Sequence, residues 1–198
     1  MNRLVATAVM LILGIGAVGV SQAQTGDLPD PIRETPTGWT LRLAHPAAGF
    51  HPIRDGVRVT KEQGAADEAP VSVRYERSSG AASGVAYRLP SGALDGVSTL
   101  RLEAMATPSQ RLTVCLTDET GFVWSFPTVR LTDSMEVYEL KLSALRADPF
   151  QNQGKAQPAE IDLGSIQTLT LLDITGFMGA PKVQCDWRIE SFKAERDQ

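Results

Sequence analysis

Two histidines, two cysteines and one amide-rich loop are the places in this 198-residue chain where side-chain chemistry could concentrate. His45 and His51 sit close together in "HPAAGFHP", a spacing at which imidazoles could share a metal or act as acid and base. Each is followed by proline, and no Cys or Glu is placed to complete a ligand set, so both read as solvated loop residues. For nucleophilic catalysis there is no G-x-S-x-G elbow and no Ser–His–Asp order. Carboxylate pairs of the glycosidase kind depend on separation in space, which sequence spacing does not define.

The best ligand candidate is the long loop "RADPFQNQGKAQPAE", residues 146–160. Phe150, Gln151, Asn152 and Gln153 offer one ring face and three amides, a mixture suited to hydroxyl-rich ligands. Its plain alternative is a surface loop with Phe150 tucked into the edge of the core. A second candidate is "DETGFVWSF", residues 118–126, where three rings alternate behind an acidic turn. The stripe is either a stacking platform or core, and the hairpin register decides. A two-residue turn would align Phe122, Trp124 and Phe126 with Thr113, Cys115 and Thr117. A three-residue turn, Glu119-Thr120-Gly121, puts glycine at a left-handed position. That register sets Trp124 opposite Leu116 and Phe126 opposite Val114. Apolar matching and Gly121 favour it, and with it a core stripe.

The elements that position these residues are strands. "WTLRLAH", "GVRVTKE", "VSVRYER", "VAYRLP", "TLRLEAMA", "RLTVCLTD", "VYELKLSAL", "IQTLTLLDI" and "VQCDWRIESF" alternate apolar and polar residues between Gly, Pro, Asp and Ser punctuation. Nine or ten such strands, with "LSALRA" holding at most one helical turn, predict an all-β antiparallel sandwich of jelly-roll type. Alternation places Trp187 in the core with Val183, Cys185 and Ile189, and Tyr87 with Val85 and Leu89. Tyr87 and Tyr138 could add stacking faces only if their strands line a concave sheet.

The N-terminus carries one basic residue, Arg3, an apolar run over residues 4–20, and Ser21 and Ala23 before Gln24. This reads as a secretory signal peptide over residues 1–23, and the run is shorter than the roughly 20 residues a spanning helix needs. Residues 24–37, rich in Pro, Asp and Thr, read as a flexible lead-in, and 38–198 as one sandwich domain. The expectation is a periplasmic or secreted chain with no membrane span once the signal is removed. A net charge of −4 without a basic block argues against a nucleic-acid partner. Cys115 and Cys185 fall on opposite parities of their strands, which opposes a bridge, while an oxidising compartment favours one.

From "LRLEAMATPSQRLTVCLTDETGFVWSF" through "MEVYELKLSALRADPFQNQGKAQPAEIDLGSIQTLTLLDI" to "VQCDWRIESF", the chain resembles galactose-binding-like β-sandwich modules. It is similar to family 11 carbohydrate-binding modules and to the complex I intermediate-associated protein 30 domain, over residues 84–192. The resemblance implies a non-catalytic binding module with polysaccharide as the leading ligand. The alternative is a protein-interaction or assembly module for an envelope protein complex. It also implies that Asp186 could contribute to a structural calcium beside the closing strand, the alternative being an outward-facing Asp on a strand where Gln184, Arg188 and Glu190 also face solvent. In the family the closing acidic residue is usually followed by Asp or Asn, whereas here Trp187 follows.

Overall fold

The computed structural model describes residues 30–46, 48–61 and 66–196. The expected signal peptide and residues 24–29 of the lead-in lie outside the described residues. Two seven-stranded antiparallel sheets pack face to face, the sandwich of jelly-roll type expected from the alternation.

The first sheet is organised on β14 (Gln184–Arg196). Along one edge of β14 runs β7 (Val97–Thr107), with β11 (Glu136–Lys141) outside it. Along the other edge β5 (Val71–Glu76) and β2 (Gly38–Leu41) pair with successive halves of β14. Outside these lie β4 (Arg58–Lys61) and β1 (Ile32–Thr35). The second sheet is organised on β8 (Gln110–Asp118), flanked on one side by β13 (Ile166–Asp173), β6 (Ser83–Arg88) and β3 (His51–Pro52). On the other side are β9 (Val123–Ser125), β10 (Val129–Leu131) and β12 (Arg146–Ala147).

Among the described residues there are fourteen strands in place of the nine or ten expected. The additional ones, such as β3 and β12, are two to four residues long, too short to display an alternation. The lead-in is also corrected. Its second half forms β1, whose Ile32 is buried and whose Thr35 pairs with Gly38 across the Pro36–Thr37 turn. A sequence rich in Pro and Thr can still add an edge strand when one apolar residue anchors it. The "LSALRA" stretch holds a single 3-10 turn at Leu142–Ala144.

Inward residues of both sheets make one core. Trp187, Tyr75, Leu100, Leu102 and Phe192 from the first sheet meet Leu112, Leu116, Tyr87, Leu169 and Leu171 from the second. β14 is too long for strict alternation to serve. Cys185, Trp187 and Ile189 point inward, then the register slips between Ile189 and Ser191, and Phe192 and Ala194 take over. The bulge turns Phe192 into the core, where an unbroken strand would point it out with Asp186.

The core also encloses polar groups. The Tyr75 hydroxyl lies 2.6 Å from Gln110 Oε1 and 2.8 Å from Asp173 Oδ2, and Arg77 Nε donates to the same carboxylate at 3.2 Å. Burial, then the Asp173 charge, holds the Tyr75 phenol well above its ordinary range.

Candidate functional site

The 118–126 hairpin takes the three-residue turn. Gly121 has φ 78°, and its N–H donates to Asp118 O at 3.0 Å. Leu116 pairs with Trp124, and Phe126 N–H donates to Val114 O. Phe122, Trp124 and Phe126 are buried in the core, so they form no stacking platform. The Asp118 carboxylate holds the turn, accepting from Thr120 N–H and Phe122 N–H at 2.9 Å each.

The amide-rich loop lies against the other face of this hairpin. Asp148 Oδ1 accepts from the N–H groups of Phe150 (2.9 Å) and Gln151 (2.8 Å), winding the chain into a tight turn. Asn152 then behaves as a strand partner. Its Oδ1 accepts from Val123 N–H at 2.9 Å, and its Nδ2 donates to Val123 O at 2.6 Å. Lys155 Nζ caps the carbonyl of Gly121. Gln151 Nε2 sits 3.6 Å from Cys115 Sγ, covering a thiol that is 1 % exposed. Of the four residues expected to bind a ligand, Asn152 is engaged by the fold and Gln151 is partly engaged. Gln153 is exposed, and Phe150 stands 80 % exposed instead of tucked into the core edge.

Phe150 borders a face that local patterning did not reveal. Cross-strand partners point to the same side of a sheet. The outward row through Cys115 therefore reads Arg146, Ser125, Cys115, Thr170, Ala86 and His51. The next row holds Val123, Thr117, Thr168 and Arg88, and a third holds Thr113, Leu172 and Gly84. The Asp148 carboxylate is buried beside Cys115 under the loop, and the accessible part of the outer face of the second sheet is lined mainly by hydroxyls. Thr117, Ser125, Thr168 and Thr170 are all partly accessible. A second exposed ring, Phe177, lies at the end of this sheet on the 3-10 turn (Thr175–Met178) that follows β13.

A groove of ≈ 410 Å³ opens at the sandwich edge, lined by Trp124, Leu142, Leu145, Arg146, Gln157 and Glu160. Trp124 Nε1 is buried there without a partner, whereas Trp39 Nε1 donates to Ala93 O and Trp187 Nε1 to Gln110.

The remaining candidates have local partners. His45 Nδ1 accepts from Ala48 N–H at 3.1 Å, and His51 is exposed on β3. Asp186 lies on the outer face of the first sheet, where Arg74 Nε donates to its carboxylate at 2.6 Å. Calcium needs six to eight oxygens, and among the described residues no group of three His, Cys, Asp or Glu side chains gathers here or elsewhere. The residues around Asp186 do not fit the ion. Both thiols are free and buried. Burial, then Asp148, pushes the Cys115 thiol up to about 12, and burial also raises Cys185, so neither is a ready nucleophile. Tyr87 is fully buried, and the partly buried Tyr138 donates to Arg130 O at 3.0 Å. Among the described residues no helix is long and apolar enough to cross a membrane.

No protein-family model matches the sequence, and no curated protein does either. Among solved structures, the chain is similar to the family 11 carbohydrate-binding module of a cellulosomal cellulase from Clostridium thermocellum. That match has a TM-score of 0.56 at 15 % identity, covering 75 % of this chain and 87 % of the module. A family 11 module from the same organism, in complex with a β-1,3-1,4-mixed-linked tetrasaccharide, matches at TM-score 0.53 and 16 % identity over 75 % and 88 %. An exo-β-agarase matches at TM-score 0.53 and 12 % identity, over 75 % of this chain but 24 % of the enzyme. At these identities the likeness is one of fold, a family 11-like β-sandwich, as the strand pattern implied.

Proposed function

We propose that the chain is a non-catalytic carbohydrate-binding module of the periplasm or the cell exterior. The polysaccharide lies on the outer face of the second sheet. The observation that carries this reading is the row of accessible hydroxyls on that face, Thr117, Ser125, Thr168 and Thr170, bordered by the exposed ring of Phe150. Threonine and serine hydroxyls donate and accept with equal ease, which suits the sugar hydroxyl. Phe150 and Phe177 supply ring faces at its margins for stacking. The fold shared with carbohydrate-binding modules supports the same assignment.

A second reading, docking to an envelope protein, is favoured by one observation. Phe177 and Met178 are adjacent and 57 % and 58 % exposed, a beginning of an apolar patch.

Native affinity electrophoresis against soluble β-glucans, mannans, xylans and galactans, with and without calcium, tests the proposal. Retardation by a polysaccharide that Phe150→Ala relieves supports the sheet face. Free migration through every gel, with capture by an envelope protein that Phe177→Ser abolishes, would replace it with the docking reading.

A further inference from the structure

Three arginines around the hydroxyl face stand outside any ion pair among the described residues, as Arg58 also does opposite Arg74 on the first sheet. On the first sheet, Arg74, Arg101, Arg188 and Arg196 each reach a carboxylate, and Lys182 reaches Glu76. On the second sheet, Arg88, Arg111 and Arg130 project outward and exposed with no carboxylate in ion-pair range among the described residues. Arg146 completes the rim at β12, its Nη1 held by the carbonyls of Ser143 and Leu145 at 3.1 and 2.6 Å. Arg130 stands directly opposite Arg111 in the β8–β10 register. Like charges in that arrangement repel. The Asp118 carboxylate at the end of β8 is turned onto its own hairpin, and the Asp148 carboxylate is buried beside Cys115, where it accepts from the Phe150 and Gln151 N–H groups. A chain of net charge −4 thus keeps exposed arginines around a hydroxyl-lined face whose one carboxylate beside Cys115, Asp148, is buried under the loop.

We infer that the polysaccharide bound on this face is anionic, a chain bearing uronate or sulfate groups. One such group bridges Arg111 and Arg130, and others reach Arg88 and Arg146. Guanidinium forks match planar carboxylates and sulfates in two-point hydrogen bonds, and an anion between Arg111 and Arg130 turns their repulsion into attraction. The sugar hydroxyls between the charged groups meet Thr117, Thr168 and Thr170. This inference rests on the glycan reading above and adds the charge of the ligand to it.

The full chain is run in affinity gels containing polygalacturonate, alginate or a sulfated galactan, beside neutral β-glucan and galactan, at rising sodium chloride. The expected result is retardation by at least one acidic polymer, relieved by salt. Arg111→Ala combined with Arg130→Ala should weaken it by at least about tenfold. Arg74→Ala, on the opposite sheet, should leave it unchanged. Retardation by neutral polymers alone overturns the inference and leaves the glycan reading standing. Free migration in every gel overturns both. Equal retardation by an unrelated polyanion such as single-stranded DNA, insensitive to Phe150→Ala, also overturns the inference, because charge alone would then explain it.

Discussion

The two outer faces of the sandwich solve the same problem in opposite ways. The first sheet carries several charges on its outer surface that satisfy one another. Arg101 reaches both Glu139 and Glu195, Arg74 reaches Asp186, and Ser191 donates to Glu103. The second sheet carries threonine, serine and alanine at the equivalent places and leaves its arginines at the margin. Charged pairs on an open surface add little stability, so the difference is not one of fold strength. A face of paired long side chains is already occupied by its own atoms. Short hydroxyl side chains leave room for a ligand, as the proposed function requires.

The contrast can be broken most directly by filling the empty face. Thr170→Glu places bulk and a repelling charge in the middle of the hydroxyl row and should abolish polysaccharide retardation, a loss of at least about tenfold. The matching change on the first sheet, Lys193→Glu, should leave retardation as it was. Next in size, Phe150→Ala removes an exposed ring and should weaken binding roughly fivefold to tenfold, with no change in the thermal melt. Equal affinity would remove the loop from the binding face. Asn152→Ala separates the loop's structural part from its binding part. It leaves the Val123 N–H without its partner, while Val123 O keeps the Asp148 N–H, and should cost about 1–3 kcal/mol in a denaturant melt.

The interior, not either face, should govern alkaline stability. Tyr75 in the folded chain holds its proton above the ordinary 10.0, and Cys115 is pushed from 9.0 up to about 12. A raised folded value means stability is complete below the unfolded value and lost as pH climbs past it. Tm should therefore hold steady to about pH 9 and fall above it, and Cys115→Ala should delay the onset of that fall. Smallest of all, Arg101→Ala should leave Tm within the error of a melt, because its partners are solvated. A clear drop would mean that the charged face is a structural device after all.

Much of this was legible from residues alone. Alternation in "VSVRYER" and "RLTVCLTD" fixed both sheet type and inward residues, since a period of two leaves few options for a half-buried strand. Gly121 gave the hairpin register because only glycine enters the left-handed region without strain. The hydroxyl face stayed hidden for a physical reason. Thr117, Ser125, Thr168 and Thr170 come from β8, β9 and β13, and become one surface only when long-range pairing sets them side by side. Asn152 looked like a ligand residue because an amide that binds sugar and one that binds backbone are identical in sequence. The Arg111–Arg130 opposition likewise exists only in the paired register.

The clasp that Asn152 makes on Val123 has a kinetic meaning. A side-chain amide takes over from β12 where that strand ends, so the Val123 amide proton is sealed only while the loop is in place. Its hydrogen–deuterium exchange is then a clock for loop opening, readable without any ligand. If the polysaccharide packs against Phe150, its arrival should slow that one proton while leaving protection deep in β8 and β13 unchanged.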